Sequence, residues 1–229
     1  MGIARLNALM SSSPEHLSPS PLPGPPGAPG PPELPELPEL RGDGLRLCAW
    51  DPESRADVEA WLRGLTDPEF RRWNTPLRPI TDEDSARESL RRAARRDADG
   101  TAASFRVADL DTGTVLGHIG VNEIHPVMLR GTVGYWVLPE ARGRGVATRA
   151  LLLAAHWAFT ERGLHRLELD HAIGHEASCR IAERCGFRYE GTVRGAILAA
   201  DRRDAFRDAH LHARLAPDPE PVRRPATAT

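Results

Sequence analysis

Gly134-Tyr-Trp-Val-Leu-Pro-Glu-Ala-Arg-Gly-Arg-Gly-Val-Ala-Thr148, continuing through residues 149–159, reads as a strand, a glycine turn and a helix. Tyr135, Trp136, Val137 and Leu138 favour a strand. Pro139 has no amide donor and ends it. Gly143 and Gly145 let backbone approach a ligand with no Cβ in the way. From Val146 onward, Ala147, Ala150, Leu151, Ala154, Ala155 and Ala158 form a broad apolar helical face. The turn thus delivers free amides and the positive end of a helix dipole to one spot, which suits phosphate groups.

Three phosphate patterns compete for this turn. A Walker loop needs Lys-Ser/Thr after its last glycine, whereas Gly145 is followed by Val146, Ala147 and Thr148. A dinucleotide fingerprint needs a third Gly or Ala where Thr148 stands, and an early βαβ unit that is absent. The third pattern, Arg/Gln-x-x-Gly-x-Gly/Ala, is met in full by Arg142-Gly143-Arg144-Gly145-Val146-Ala147. In this the chain resembles the GCN5-related N-acetyltransferases (GNAT), whose pyrophosphate loop has that form.

The flanking chain is ordinary soluble material. It has 229 residues, 40% hydrophobic and 27% charged, with formal net charge −2. Near-zero charge argues against a nucleic-acid binder. Cys48, Cys179 and Cys185 form no disulfide framework, which fits a reducing compartment. No apolar run has transmembrane length and the N-terminus lacks an apolar signal core, so no membrane is expected and the protein reads as cytoplasmic. Residues 1–41 hold a Pro-rich extension and 217–229 a Pro-rich tail, both expected to be disordered. The folded domain is expected over 42–216.

Within it, Leu45 to Trp50 alternate as a strand. Asp51 is the expected cap of a first helix, with Pro52 at its first position. Residues 67–81 read as irregular. Thr81 or Asp82 caps an arginine-rich helix that runs to Arg96, its basic face paired with Glu83, Asp84 and Glu88. Strands follow at 104–109 and 114–121, then a loop at 122–128 and the central strand at 131–138. A short strand at 166–170 precedes a helix at 176–185, which Gly186 stops. The last strands lie at 187–193 and 206–215.

This order matches the GNAT layout over about 45–215, and the likeness is closest to the RimJ/RimL branch of ribosomal-protein-alanine N-acetyltransferases. Gly134-Tyr135-Trp136, the segment from His175 through Ser178 to Gly186-Phe187, and Tyr189-Glu190-Gly191 resemble that branch's motifs in the same order. The resemblance implies an α/β (α+β) GNAT acyl-CoA N-acyltransferase fold, with a mixed, mostly antiparallel sheet, flanking helices and splayed central strands. It implies acetyl-CoA as co-substrate, no metal, and a monomer or homodimer. An acceptor amine would attack the thioester directly. The acceptor is first a protein N-terminal α-amine, next a small amine such as an antibiotic or polyamine. A CoA-binding or partner-binding module without turnover is the third reading.

Carried onto this chain, the resemblance gives Val137 the acetyl carbonyl, with Leu138 beside it. It gives Arg142, Gly143, Arg144, Gly145, Val146 and Ala147 the pyrophosphate. Where many relatives carry an acidic tyrosine this chain has Ala182, so Ser178 is the candidate acid; a small residue that lets the helix pack is the alternative. His175 stands for the usual asparagine at the cofactor arm. Thr132 replaces a common glutamate, leaving Glu123, His125 or a water as base. Trp73 and Arg78 would wall the acceptor groove, or Trp73 plugs the core. His171, His175 and Cys179 invite a metal, but Gly174 and the strand end fall between the histidines, so no zinc site is expected there. Cys185, beside Gly186, reads as packing.

Overall fold

The computed structural model describes residues 37–200 and 202–221. Most of the Pro-rich extension, and the tail beyond 221, lie outside the described residues. Among the described residues, eight strands form one sheet in the order β1-β2-β3-β4-β5-β6-β8-β7. They are β1 (Leu40–Gly42), β2 (Leu45–Ala49), β3 (Ala103–Asp109), β4 (Val115–His125), β5 (Arg130–Val137), β6 (Arg166–Ala172), β7 (Arg188–Leu198) and β8 (Phe206–Leu215). The helices are α1 (Arg55–Thr66), α2 (Pro68–Trp73), α3 (Glu83–Ala98), α4 (Val146–Thr160) and α5 (Glu176–Arg184). Every strand pair is antiparallel except β5 with β6. This is the α+β GNAT fold expected from the sequence.

Two apolar layers sandwich the sheet. On one side α4 packs on Tyr135, Val137, Leu167 and Leu169. On the other, α1 and α3 pack on Trp136 and Leu138. Neighbouring residues of β5 thus face opposite layers, as strand alternation requires. Trp50, Trp61, Trp136 and His118 form a compact aromatic group in the second layer. Gly64 lies under Trp136, where an added Cβ would come within 2.5 Å of the indole.

Several elements depart from the sequence reading. Asp51 does not cap α1. Ser54 does, its hydroxyl accepting from Asp57 N–H, while Asp51 accepts the Glu53 amide in the turn before it. Residues 67–81 contain α2, with Asp67 as N-cap and Pro68 at the first turn. β4 continues to His125 through an irregularity in its pairing with β5, where Glu123 takes a φ of 51°. Leu40 and Arg41, assigned to the extension, belong to β1, which pairs with β2. Asp218 and Glu220 of the expected tail pair with Arg188 and Arg214.

Candidate active site

The site begins where the central pair of strands separates. β5 and β6 are paired only at Arg130–Arg166, Gly131–Leu167 and Thr132–Glu168. Beyond them the strands splay. Leu138 N–H donates to Leu116 O across β4, so the alternation of an antiparallel ladder turns the amides of Val137 and Tyr135 the other way, towards the gap. The amide of Val137, the residue expected at the acetyl carbonyl, thus faces the gap.

The turn after β5 opens beside that gap. Gly143 and Gly145 adopt φ of 75° and 70°, where a side chain is strained. A Cβ at either would meet nothing within 4 Å, so the loop's outer face is open. Gly145 is the N-cap of α4 without a side-chain cap, which leaves the first amides of the helix available to an anion. A groove runs along this loop, walled on its far side by α5 through Ala177, Arg180, Ile181 and Arg184. Sequence reasoning missed Arg180 and Arg184; their spacing of four on one helix was the available signal.

Arg142 lines this groove and also anchors the loop. Its Nε donates to Val137 O at 3.0 Å and its Nη2 pairs with Asp67. The guanidinium therefore ties the loop to the end of β5 and to the start of α2. Arg144 is exposed; the Asp109 carboxyl is held below its ordinary range by hydrogen bonds from Thr112 first, with the Arg144 charge the smallest contribution.

Ser178 is fully buried on α5, and its hydroxyl sits 3.1 Å from the Tyr135 hydroxyl. Burial raises the Tyr135 phenol well above its usual pKa, so it keeps its proton at neutral pH. Sequence reasoning named Ser178 as a candidate acid or packing residue, and read its partner Tyr135 only as a strand former. His175 is the N-cap residue of α5. Its ring stacks on Trp73, 4.5 Å between centroids at 10°.

The candidate bases Glu123 and His125 do not reach the splay. They lie beside Thr132 and Arg130, at the closed end of the β5–β6 pair. Val137 is about 17 Å further along the strand. His125 instead accepts the Met128 amide in the turn. Asp170, on the splayed part of β6, is a buried carboxyl the sequence reading passed over. Strand alternation puts it opposite Leu169, on the side where Ala172 packs near Trp73.

Trp73 is half-buried, neither a sealed core plug nor a free surface ring. Its Nε1 donates to Glu69 at 2.9 Å, and the Arg207 guanidinium lies 5.7 Å from its ring centroid. Arg78 is exposed and acts on Arg92 of α3, whose pKa is lowered by burial first and by Arg78 second. The 74–80 loop leans on the β7–β8 connection: Thr75 donates to Ala199 O and Arg203 to Pro76 O. Cys185 is buried against α4, and burial pushes its thiol up to about 12, so it is a packing residue.

Among known proteins, residues 45–188 match the acetyltransferase (GNAT) domain family. The ribosomal-protein-serine acetyltransferase of Escherichia coli is 26% identical over 158 residues, covering 69% of this chain and 80% of that protein. YdaF of Bacillus subtilis, named a putative ribosomal N-acetyltransferase, is 33% identical over 85 residues, 37% of this chain and 46% of that protein, so this match spans under half of the relative's length. Among solved structures, the ribosomal-protein-S5-alanine acetyltransferase of Vibrio fischeri aligns with a TM-score of 0.68 at 19% identity, over 80% of this chain and 99% of that one. No helix among the described residues is long and apolar enough to cross a membrane. The chain belongs to the GNAT family of acetyl-CoA-dependent N-acetyltransferases.

Proposed function

We propose that this protein acetylates a primary amine, with a protein N-terminal α-amine as acceptor and acetyl-CoA as donor. The observation that carries the reading is the gap between β5 and β6, with the Val137 amide turned into it beside the open Gly143–Gly145 turn. When bound, acetyl-CoA supplies an acetyl group activated as a thioester. The amides at the start of α4, with Arg180 and Arg184 opposite, receive the pyrophosphate. Val137 N–H orients and polarises the acetyl carbonyl. Tyr135, holding its proton, fixes the Ser178 hydroxyl, which donates to the leaving sulfur. Asp170 takes the proton of the attacking amine. The 74–80 loop, Trp73 and the β7–β8 connection wall the acceptor side.

A protein acceptor is favoured by the reach of the alignments. The two acceptor walls, near residues 67–80 and 199–205, are more than 100 positions apart. The 158-residue alignment with the ribosomal-protein-serine acetyltransferase is long enough to span both. The 81-residue alignment with spermidine N(1)-acetyltransferase of Escherichia coli is not.

The test is thiol release from acetyl-CoA by the full chain, offered peptides with free N-termini, the same peptides N-acetylated, and spermidine. Release is expected with the free peptides alone. Gly145→Glu should abolish it, since its side chain strains the turn and opposes phosphate charge. Release with spermidine alone would establish the small-amine reading. A melt that acetyl-CoA raises, with no release from any acceptor, would establish a binding module.

A further inference from the structure

His210 and His212 are two residues apart on β8, so their side chains share one face of the sheet. His171 on β6 is the cross-strand partner of His210, with His212 on the diagonal. α5 covers this face and brings Cys179 to it. One potential ligand atom from each of the four residues lies within 4.8 Å of the other three. His171 Nε2 and His212 Nε2 are 3.4 Å apart, and Cys179 Sγ is 3.5 Å from His212 Nε2. Ligands of a tetrahedral zinc, at their usual bond lengths, stand about 3.3–3.7 Å from one another.

Hydrogen bonding fixes what these atoms present. His171 Nδ1 lies 3.0 Å from the Ala172 carbonyl, and His212 Nδ1 lies 3.4 Å from the Phe187 carbonyl. A carbonyl only accepts, so each Nδ1 carries the proton and each Nε2 presents a lone pair. Two lone pairs therefore face each other in a buried space. The single proton of the Cys179 thiol, within reach of both His212 Nε2 and the Glu183 carboxylate, can answer at most one of them. His210 Nδ1 is also buried without a hydrogen-bond partner among the described residues. Metal-binding histidines are commonly held in this way, the far ring nitrogen donating to a backbone carbonyl.

We propose that His171, Cys179, His210 and His212 bind one divalent cation of the zinc class, joining α5 to β6 and β8 next to Ser178. Three neutral imidazoles and one thiolate complete a tetrahedral set. On binding, the Cys179 S–H bond breaks, its proton leaves to solvent and a sulfur–metal bond forms, with no change of oxidation state. Glu183, whose carboxylate lies 3.8 Å from the sulfur, offsets part of the remaining positive charge. The sequence reading looked for ligands at His175 and rejected the site. His175 turns to Trp73 instead, and β8 supplies the ligands that sequence spacing could not reveal.

The experiment uses the full chain, reduced and stripped with a chelator, then titrated with Co²⁺. We expect one equivalent to give the visible bands of tetrahedral cobalt and a near-ultraviolet thiolate-to-cobalt charge-transfer band, both erased by Zn²⁺. Cys179→Ala, at a half-buried helix position, should fold, lose the charge-transfer band and weaken binding by more than about 100-fold, beyond the loss of an outlying hydrogen-bond partner. His212→Gln should also weaken it, whereas His156→Gln on the exposed face of α4 should not. Zn²⁺ should raise the melting temperature of the unsubstituted chain but not that of Cys179→Ala. Absence of the charge-transfer band in the unsubstituted chain, or a band unchanged in Cys179→Ala, would overturn the site.

Discussion

Tyr135 and Ser178 are 43 positions apart in sequence and meet at 3.1 Å in the interior. Ser178→Ala is expected to lower kcat by about 100-fold, the lower end of the general-acid range. Tyr135→Phe should lower it less, because it removes only the group that orients the serine. KM for acetyl-CoA should change little in either. Steady-state kinetics with a paired melt decide the matter: a lowered melting temperature with unchanged kcat would make the pair a packing device. Ser178 was legible through its motif. Its partner was not, because strand alternation says that Tyr135 faces one layer but not which helix covers it. His118 makes a separate prediction. It is fully enclosed, accepts the Trp50 indole N–H at 3.1 Å, and burial lowers its pKa to about 3. The unfolded chain binds a proton there near pH 6.5 and the folded chain does not, so this contribution to stability is complete above pH 6.5 and shrinks as pH falls. The stability gap between the unsubstituted chain and His118→Gln should narrow by about 1.4 kcal/mol per pH unit below 6.5. Denaturant melts across pH 4–7 measure it, and a pH-independent gap would show that His118 protonates in place.

At the scale of elements, α1 is set on the sheet by the contact of Gly64 with Trp136. Alanine in a helix ordinarily adds stability relative to glycine, about 1 kcal/mol. Gly64→Ala should nonetheless destabilise by about 1–3 kcal/mol, because the new methyl group meets an indole fixed from every side. A denaturant melt showing a gain would mean that α1 rests on the sheet loosely. The long periodic elements were readable: α3, α4, β5 and β8 fall within a few residues of their sequence positions. The short ones were not. α2 has six residues, too few for a periodic face. β1 has three and is defined by its pairing with β2. The final residues of β4 look polar and loop-like, yet ladder bonds to β5 carry them on as strand.

For the whole molecule, the central event is the parting of β5 and β6. The family resemblance implied that it should occur, but only pairing shows where it starts. That start leaves Glu123 and His125 beside the paired end of β5 and β6, and it puts Asp170 on the splayed part of β6. The glycine loop of the donor side is one continuous stretch and was legible as a motif, whereas the α5 wall facing it, with Arg180 and Arg184, and the acceptor side, assembled from residues near 70, 170 and 200, were not. One contact crosses between them. Asp67 caps α2 on the acceptor side, and its carboxylate pairs with Arg142 of the donor loop, both side chains mostly buried. Asp67→Asn keeps the cap and removes the charge, and should raise the KM of acetyl-CoA and of the acceptor peptide together. A change confined to one substrate would show that the link does not couple them. If both constants move together, neither substrate meets an independent pocket: whichever arrives first braces the seat of the other, and the occupancy of one side becomes information available to the second.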